Sequence, residues 1–433
     1  MKNKWLVLLS LLCFASVSYA GPKIEHWQTN NGARVFYVNA PGLPIVDLRI
    51  VFDAGSARDA DKAGLSALTN SLLDEGTGEL GADNVAEQFE GLGAQYGASA
   101  ARDMAVATLR SLSDKVILDK ALGLFSQVIA APSFPEKSFQ RNRKAMLVGL
   151  QVSSQRPNAI VKKEFYKQVF NDHPYSLDGK GTEPSLTNMQ LQDVVAFHKK
   201  YYVANNAVIA IVGDIPRERA TAIAERVSSG LKKGVRAEKI AKVAGLTGSI
   251  NKRIKHESQQ THILVGQPGM HRGDPDYMTL YVGNHVFGGS GLVSRLSDSI
   301  REQRGLAYSV YSYFSPMRED GPFMMGMQTK NSQAEDAVKL LNEELSRYVN
   351  EGPSEEELKR SKQNITGGFA LRVDSNKKIT QYIAMIGFYG LPLDYLDTFN
   401  AKVEAVTVDK IKDAFKRRIH PDKLVTVTVG GDK

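Results

Sequence analysis

From Val46 to Phe52 apolar and polar residues alternate, with Val46, Leu48, Ile50 and Phe52 on one side and Asp47, Arg49 and Asp53 between or after them. A period of two predicts a half-buried strand. After Gly55 the period becomes helical: Leu65, Leu68, Leu72 and Leu73 repeat up to Gly76, a residue suited to ending a helix. The same reading predicts strands over 105–112 and 207–215 and helices over 85–92, 115–129 and 136–152.

The order then repeats. A strand over 261–266 is followed by Gly269 and a helical stretch carrying Tyr281, Val282 and Val286 before Gly288. Gly55, Arg58, Leu68 and Leu72 match Gly269, Arg272, Val282 and Val286 at a constant offset of 214, and the apolar run ending in Gly213 matches the one ending in Gly430 at 217. So steady an offset argues for duplication. Two copies are too few for a solenoid, so the expectation is an α+β fold: two homologous sheet-plus-helices domains in tandem enclosing a cleft. The predicted boundaries are 21–231 and 250–433, joined over 232–249 by a linker rich in Lys, Ala and Gly.

Composition narrows the function classes. The 433 residues are 42% hydrophobic and 24% charged, an ordinary globular balance. Lys2 and Lys4 precede an apolar run from Trp5 to about Ala15, and Ser18-Tyr19-Ala20 offers a cleavage site, so residues 1–20 read as a signal peptide. An uncleaved anchor is the alternative, although the run is short for a span. The one cysteine, Cys13, lies inside that leader and lacks a lipoprotein context. A mature chain without cysteine excludes disulfides, thiolate metal sites and cysteine nucleophiles. The net charge of +8 is spread without a long basic block, which argues against nucleic-acid binding. No later apolar run is long enough to insert stably in a membrane, and the expected location is the periplasm as a soluble, exported protein.

Several segments together resemble the pitrilysin, insulysin and mitochondrial processing peptidase family of inverzincins. They are Gly55 to Asp59 leading to Gly64-Leu65, His198 to Tyr202 followed by Asn205-Asn206 and Val212 to Asp214, Ser294 to Leu296, and Ile300 to Ser309. Catalytic members carry H-x-x-E-H after the first Gly-Leu pair: two imidazoles one helical turn apart bind zinc, and the glutamate accepts a proton from the metal-bound water. Here the matching positions are Ala67, Asn70 and Ser71, and the distal ligand position falls at Val148 or Gly149. None of these supplies a zinc ligand or the catalytic base. No two histidines stand at i, i+3 or i+4; His256 and His262, if on one strand, are about 20 Å apart. Asp74 and Glu75, just beyond the vacant positions, read as a solvated pair. The expectation is no metal and no cofactor in this chain.

The resemblance also implies that the second half supplies an arginine and a tyrosine, seven residues apart, to bind peptide and polarise the scissile carbonyl. The matching residues are Arg301 and Tyr308, with Arg304 as a competitor for the arginine role. A pre-aimed guanidinium or phenol donor stabilises an oxyanion by roughly 2.7–4 kcal/mol. Gly288 to Gly291 falls at the glycine-rich substrate loop of the non-catalytic processing-peptidase subunit, although turn geometry also accounts for it. Tyr308, Tyr311, Tyr313 and Phe314 are candidates to line a cleft or fill a core, and Met324, Met325 and Met327 read as packing.

The resemblance therefore implies a non-catalytic, substrate-binding subunit of a heteromeric zinc metallopeptidase. Arg301 and Tyr308 would act in trans, and a zinc-bearing homologous subunit would be the partner in a heterodimer or larger complex. The alternative is a stand-alone pseudoenzyme that binds peptides or scaffolds an assembly, with a homodimer as its suited form.

Overall fold

The structure is a computed structural model, and it describes residues 23–431. The predicted signal peptide lies outside the described residues. The first half builds a six-stranded sheet from β1 (Glu25–Gln28), β2 (Arg34–Asn39) and β3 (Ile45–Phe52), followed by β6 (Gln95–Ala100), β7 (Ala105–Leu112) and β8 (Ala207–Gly213). A two-stranded hairpin, β4 (Gly76–Thr77) and β5 (Leu80–Gly81), stands apart from it. The second half builds a five-stranded sheet from β9 (Ile250–Ile254), β10 (Gln260–Met270), β11 (Val310–Phe314), β12 (Gly321–Lys330) and β13 (Val425–Val429).

Topology confirms the duplication. The first sheet runs β1-β2-β8-β3-β7-β6 and the second, read from its opposite end, β9-β13-β10-β12-β11. In each, one parallel pair (β2 with β8, β9 with β13) is followed only by antiparallel pairs. Even the matched glycines do the same work. A Cβ at Gly55 would meet the Arg102 carbonyl oxygen at 2.3 Å, and one at Gly269 the Phe323 nitrogen at 2.8 Å. Each holds two backbones closer than a side chain permits.

The strand predicted as half-buried is covered on both faces. Leu48, Ile50 and Phe52 enter the first core, while Val51 joins Phe36, Val106, Val208 and Ala210 in a second cluster on the opposite face. That face is closed by Ile383, Ala384 and Phe388 of helix Asn376–Tyr389, which belongs to the second half. The exchange is reciprocal. Helix Pro157–Phe170 of the first half packs Val161, Phe165 and Val169 on Leu264, Val425 and Val427 of the second sheet. Buried Asp103 fastens the junction, accepting hydrogen bonds from the Tyr175 hydroxyl at 2.7 Å, the Arg318 amide at 2.8 Å and the Tyr389 hydroxyl at 3.0 Å.

The 232–249 segment has no regular secondary structure, yet it is packed rather than a free tether: Ile240 is buried, and the Ala237 amide donates to Asn206 Oδ1 at 3.1 Å. Among the described residues no helix is long and apolar enough to cross a membrane.

Candidate functional site

Helix Leu65–Ser71 carries the first-half site, and the quoted motif explains how it is held. Gly64 takes φ +94°, and Asp59 accepts the Gly64 and Ser66 amides at 2.7 and 2.8 Å, capping the helix start. Burial raises the Asp59 pKa to about 7, against the opposing pull of these amides.

Ala67 and Ser71 line a cavity of about 640 Å³ with Met146, Gly149, Leu150 and Ser153 of helix Glu136–Ser154. Of the two candidates for the distal position, Gly149 lines this cavity, whereas Val148 lines an adjoining one that shares Leu150, Ser153 and Lys163 with it. Asn70 points away into the core, where Nδ2 donates to the Val106 carbonyl and the Tyr202 hydroxyl, both at 3.3 Å. Ser71 donates to Leu68 O at 2.9 Å within its own helix. A methyl group, a committed core amide, a helix-bonded hydroxyl and a glycine do not fit zinc, which takes imidazole, thiolate or carboxylate donors. None of these four positions supplies a base.

Asp74 and Glu75 are not the solvated pair expected. Both are partly buried: burial raises the Asp74 pKa, while for Glu75 burial is outweighed by hydrogen bonds from Arg141 and Asn142, which hold its carboxyl below the usual range. Glu75 ties the helix end to Glu136–Ser154. His256 and His262 do not share a strand either. The chain turns between β9 and β10, bringing His256 close enough to depress the His262 pKa in addition to burial, the larger cause.

Among the described residues one group has metal-ligand spacing: His271, Asp274 and Asp320, with ligand atoms within 4.8 Å of one another. Arg418 Nη2 already lies 2.6 Å from Asp274 Oδ2, and the Asp276 amide donates to Asp274 Oδ1 at 2.8 Å. The guanidinium holds the place of a cation, and the group is an ion-pair network.

The predicted Arg301 and Tyr308 do come together. Gly305, at φ +61°, turns the chain after the Ser297–Glu302 helical segment, and the Arg301 guanidinium carbon stands 5.2 Å from the Tyr308 ring centre. The tyrosine is 87% exposed, and neither residue lines the cavity at Ala67 and Ser71. Arg304 instead donates to Ser299 O and Oγ at 3.2 Å, a local structural role.

A second cavity, of about 850 Å³, lies between the glycine-rich segment and β11. Tyr311 and Tyr313, stacked 5.7 Å apart, line it together with Phe314, which also packs against the second core. Close packing explains Gly288, where a Cβ would sit 2.4 Å from Ser312 Oγ, and a left-handed turn explains Gly291 at φ +64°. Met324, Met325 and Met327 are buried, as expected of packing residues.

The pattern-based reading missed Arg102, Lys162, Lys163, Tyr166 and Lys180, which complete the first-half cavity. They come from a strand-connecting turn, the exchanged helix and a distant loop, and no local spacing joins them.

Two duplicated sheet-and-helix domains, with the first-half ligand helix emptied of donors, define a zinc-peptidase scaffold without its metal site. The chain belongs to the peptidase M16 family. Residues 34–183 match the family described as Insulinase (Peptidase family M16), and residues 188–365 match Peptidase M16 inactive domain. A solved peptidase M16 inactive domain from Pseudomonas fluorescens is 39% identical, superposes with a TM-score of 0.92, and is matched over 95% of this chain and 98% of that one. A Helicobacter pylori relative described as a non-peptidase homolog is 25% identical over 100% of this chain and 99% of its own length. An uncharacterized zinc protease of Rickettsia felis is 26% identical over 88% of this chain and 93% of its own. The chain is a non-catalytic member of this family.

Proposed function

We propose that this chain is the substrate-binding subunit of an exported, periplasmic zinc peptidase complex, in which a homologous subunit brings the metal and base. The observation that carries this reading is the pairing of half-buried Arg301 with exposed Tyr308 in a chain whose zinc-ligand positions are all emptied. A largely exposed tyrosine ring held by a guanidinium, outside the vacated cavity of its own chain, is suited to a site completed by another subunit.

A free strand edge favours a second reading, peptide binding or scaffolding without catalysis. Among the described residues β6 pairs only with β7, and its Gly97, Ala98, Ser99 and Ala100 offer little steric hindrance to an added strand.

Capture of the tagged chain from its native host separates the two. The subunit reading expects a stoichiometric companion carrying H-x-x-E-H and chelator-sensitive peptide cleavage by the complex. Arg301→Ala or Tyr308→Phe should then lower kcat/KM by roughly 100-fold without dissolving the complex. Recovery of the chain alone or as an inert homodimer would sink the subunit reading in favour of the scaffold.

A further inference from the structure

Where catalytic relatives would hold a cation, this chain presents cations of its own. Arg102, Lys162, Lys163 and Lys180 line the vacated cavity against a single carboxylate, Asp178. Among the described residues none of the four makes an ion pair. Arg102 donates through Nε to the Tyr175 carbonyl at 3.1 Å and lays its guanidinium 3.7 Å from the Tyr166 ring centre, which fixes its plane at the cavity wall. Burial lowers its pKa, outweighing the opposing pull of Tyr166, Asp178 and Asp103. Ser56, 2% exposed, lines the same cavity, and its hydroxyl has no hydrogen-bond partner.

The opening of the cavity indicates what kind of anion fits. Ala100 and Ala101, at the end of edge strand β6, form part of its wall. An extended chain added along β6 would run directly past it, with alternate side chains facing the same way. We propose that the vacated zinc cavity is a carboxylate pocket, which selects peptides bearing aspartate or glutamate as they lie along β6. The small residues at positions 67, 71 and 149 make room for the side chain, and the lysines and Arg102 receive its charge. This inference rests on the peptide-binding reading above and adds the substrate class.

The test measures fluorescence anisotropy with the purified chain and two labelled peptides, an extended Val/Thr-rich segment carrying two aspartates and its asparagine twin. The acidic peptide should bind about ten-fold tighter at low salt, an advantage that shrinks as salt rises. Lys162→Gln with Lys163→Gln should reduce the advantage to within about two-fold while leaving the asparagine twin unaffected, which also reports an intact fold. Ser71→Asp, at an exposed position, should do the same by supplying the cavity with an anion of its own. A matched charge loss on the other domain, Lys359→Gln with Lys402→Gln, should preserve the advantage. Equal binding of the two peptides would overturn the carboxylate pocket and leave peptide binding standing. An advantage lost equally in both lysine pairs would overturn it too, by reducing the effect to net charge. Binding of neither peptide would overturn the pocket and the peptide-binding reading together.

Discussion

The two halves place corresponding residues at the same helix positions and use them differently. At the offset of 214, Ala67, Asn70 and Ser71 correspond to Tyr281, Asn284 and His285. The middle residue is asparagine in both, and both are buried amides tying the helix to a strand. Asn70 reaches Val106 O on β7, and Asn284 reaches Ser312 O on β11 at 3.0 Å. The flanking positions diverge. In the second half Tyr281 accepts from Arg372 at 2.7 Å, and His285 contacts Ser361 Oγ at 2.8 Å and Asn364 Oδ1 at 3.1 Å. In the first half the flanking side chains are small and bond to no other element; both sets border a cavity, but only the second-half residues are engaged with a neighbouring helix or loop. The position of the missing base has become core structure, while the positions of the missing imidazoles have become space.

The comparison presumes two halves that differ locally inside one cooperative unit, and the exchanged helices are where that is most easily broken. A Cβ at Gly387 would lie 2.3 Å from the Phe36 ring; in the mirror-image contact, one at Gly266 would lie 2.9 Å from Phe165 and 2.1 Å from the Phe323 carbonyl. Gly387→Val should cost about 3 kcal/mol through overpacking. Because the helix belongs to one half and its sheet to the other, calorimetry should show a single transition moved down in temperature. Two separated transitions would mean that the halves unfold independently.

Two groups of the first half, half-buried His198 and buried Asp59, give opposite pH slopes. His198, with Nε2 at 2.8 Å from Ile129 O and its ring stacked on Tyr202, has its pKa lowered by burial to about 4. Its folded state binds fewer protons than the unfolded chain, so its contribution to stability is full above about pH 6.5 and is lost as pH falls to 4, by about 3 kcal/mol. Asp59, raised to about 7, works the other way: its contribution is full below the unfolded value of 3.8 and is lost as pH rises through 7. The two offset each other in the native chain. His198→Gln should leave stability climbing as pH falls from 7 to 4, and Asp59→Asn should leave it dropping from 6.5 to 4. Urea midpoints across that range would read both slopes, and parallel profiles for the two variants would refute the assignment.

The shared asparagine predicts a smaller, paired effect. Asn284→Ala forfeits the bond to Ser312 O and one from Ser312 Oγ at 2.7 Å, whereas Asn70→Ala forfeits two longer ones. Losses of roughly 2–3 and 1–2 kcal/mol respectively are expected in denaturant unfolding. A neutral Asn70→Ala would mean that the vacated base position is not structural after all.

Much of this was legible in the chain. The period-two and helical runs located β3, β7, β8 and the helices over 115–129 and 136–152 to within two residues at their matching ends, because each buries a continuous apolar face. The motifs were legible as markers, but their work was not. Asp59 caps a helix, Tyr202 receives Asn70, Arg295 binds Glu357 through Nε at 3.0 Å and Nη2 at 2.6 Å, and Asn206 pins the linker. The helix exchange left no local mark, since an apolar face does not state which sheet it covers. For the same reason β3 was read as half-buried: its second face is closed by residues more than three hundred positions away.

The mildest test bears most directly on the contrast between emptied and filled positions. Ser71 is exposed and its hydroxyl bonds only within its own helix, to Leu68 O. Alanine there removes no tertiary contact and has the higher helix propensity, so Ser71→Ala should change stability by less than about 0.5 kcal/mol. His285→Ala, at the matching position, removes contacts to two side chains of helix Glu355–Gly367 and should cost about 1–2 kcal/mol. Thermal unfolding of the two variants side by side measures the difference. Equal costs would mean that Ser71 has been drawn into the fold as His285 has, and the cavity beside it would then be a by-product of packing. A silent Ser71 leaves that wall of the cavity free of structural duty, the condition under which it can serve a ligand.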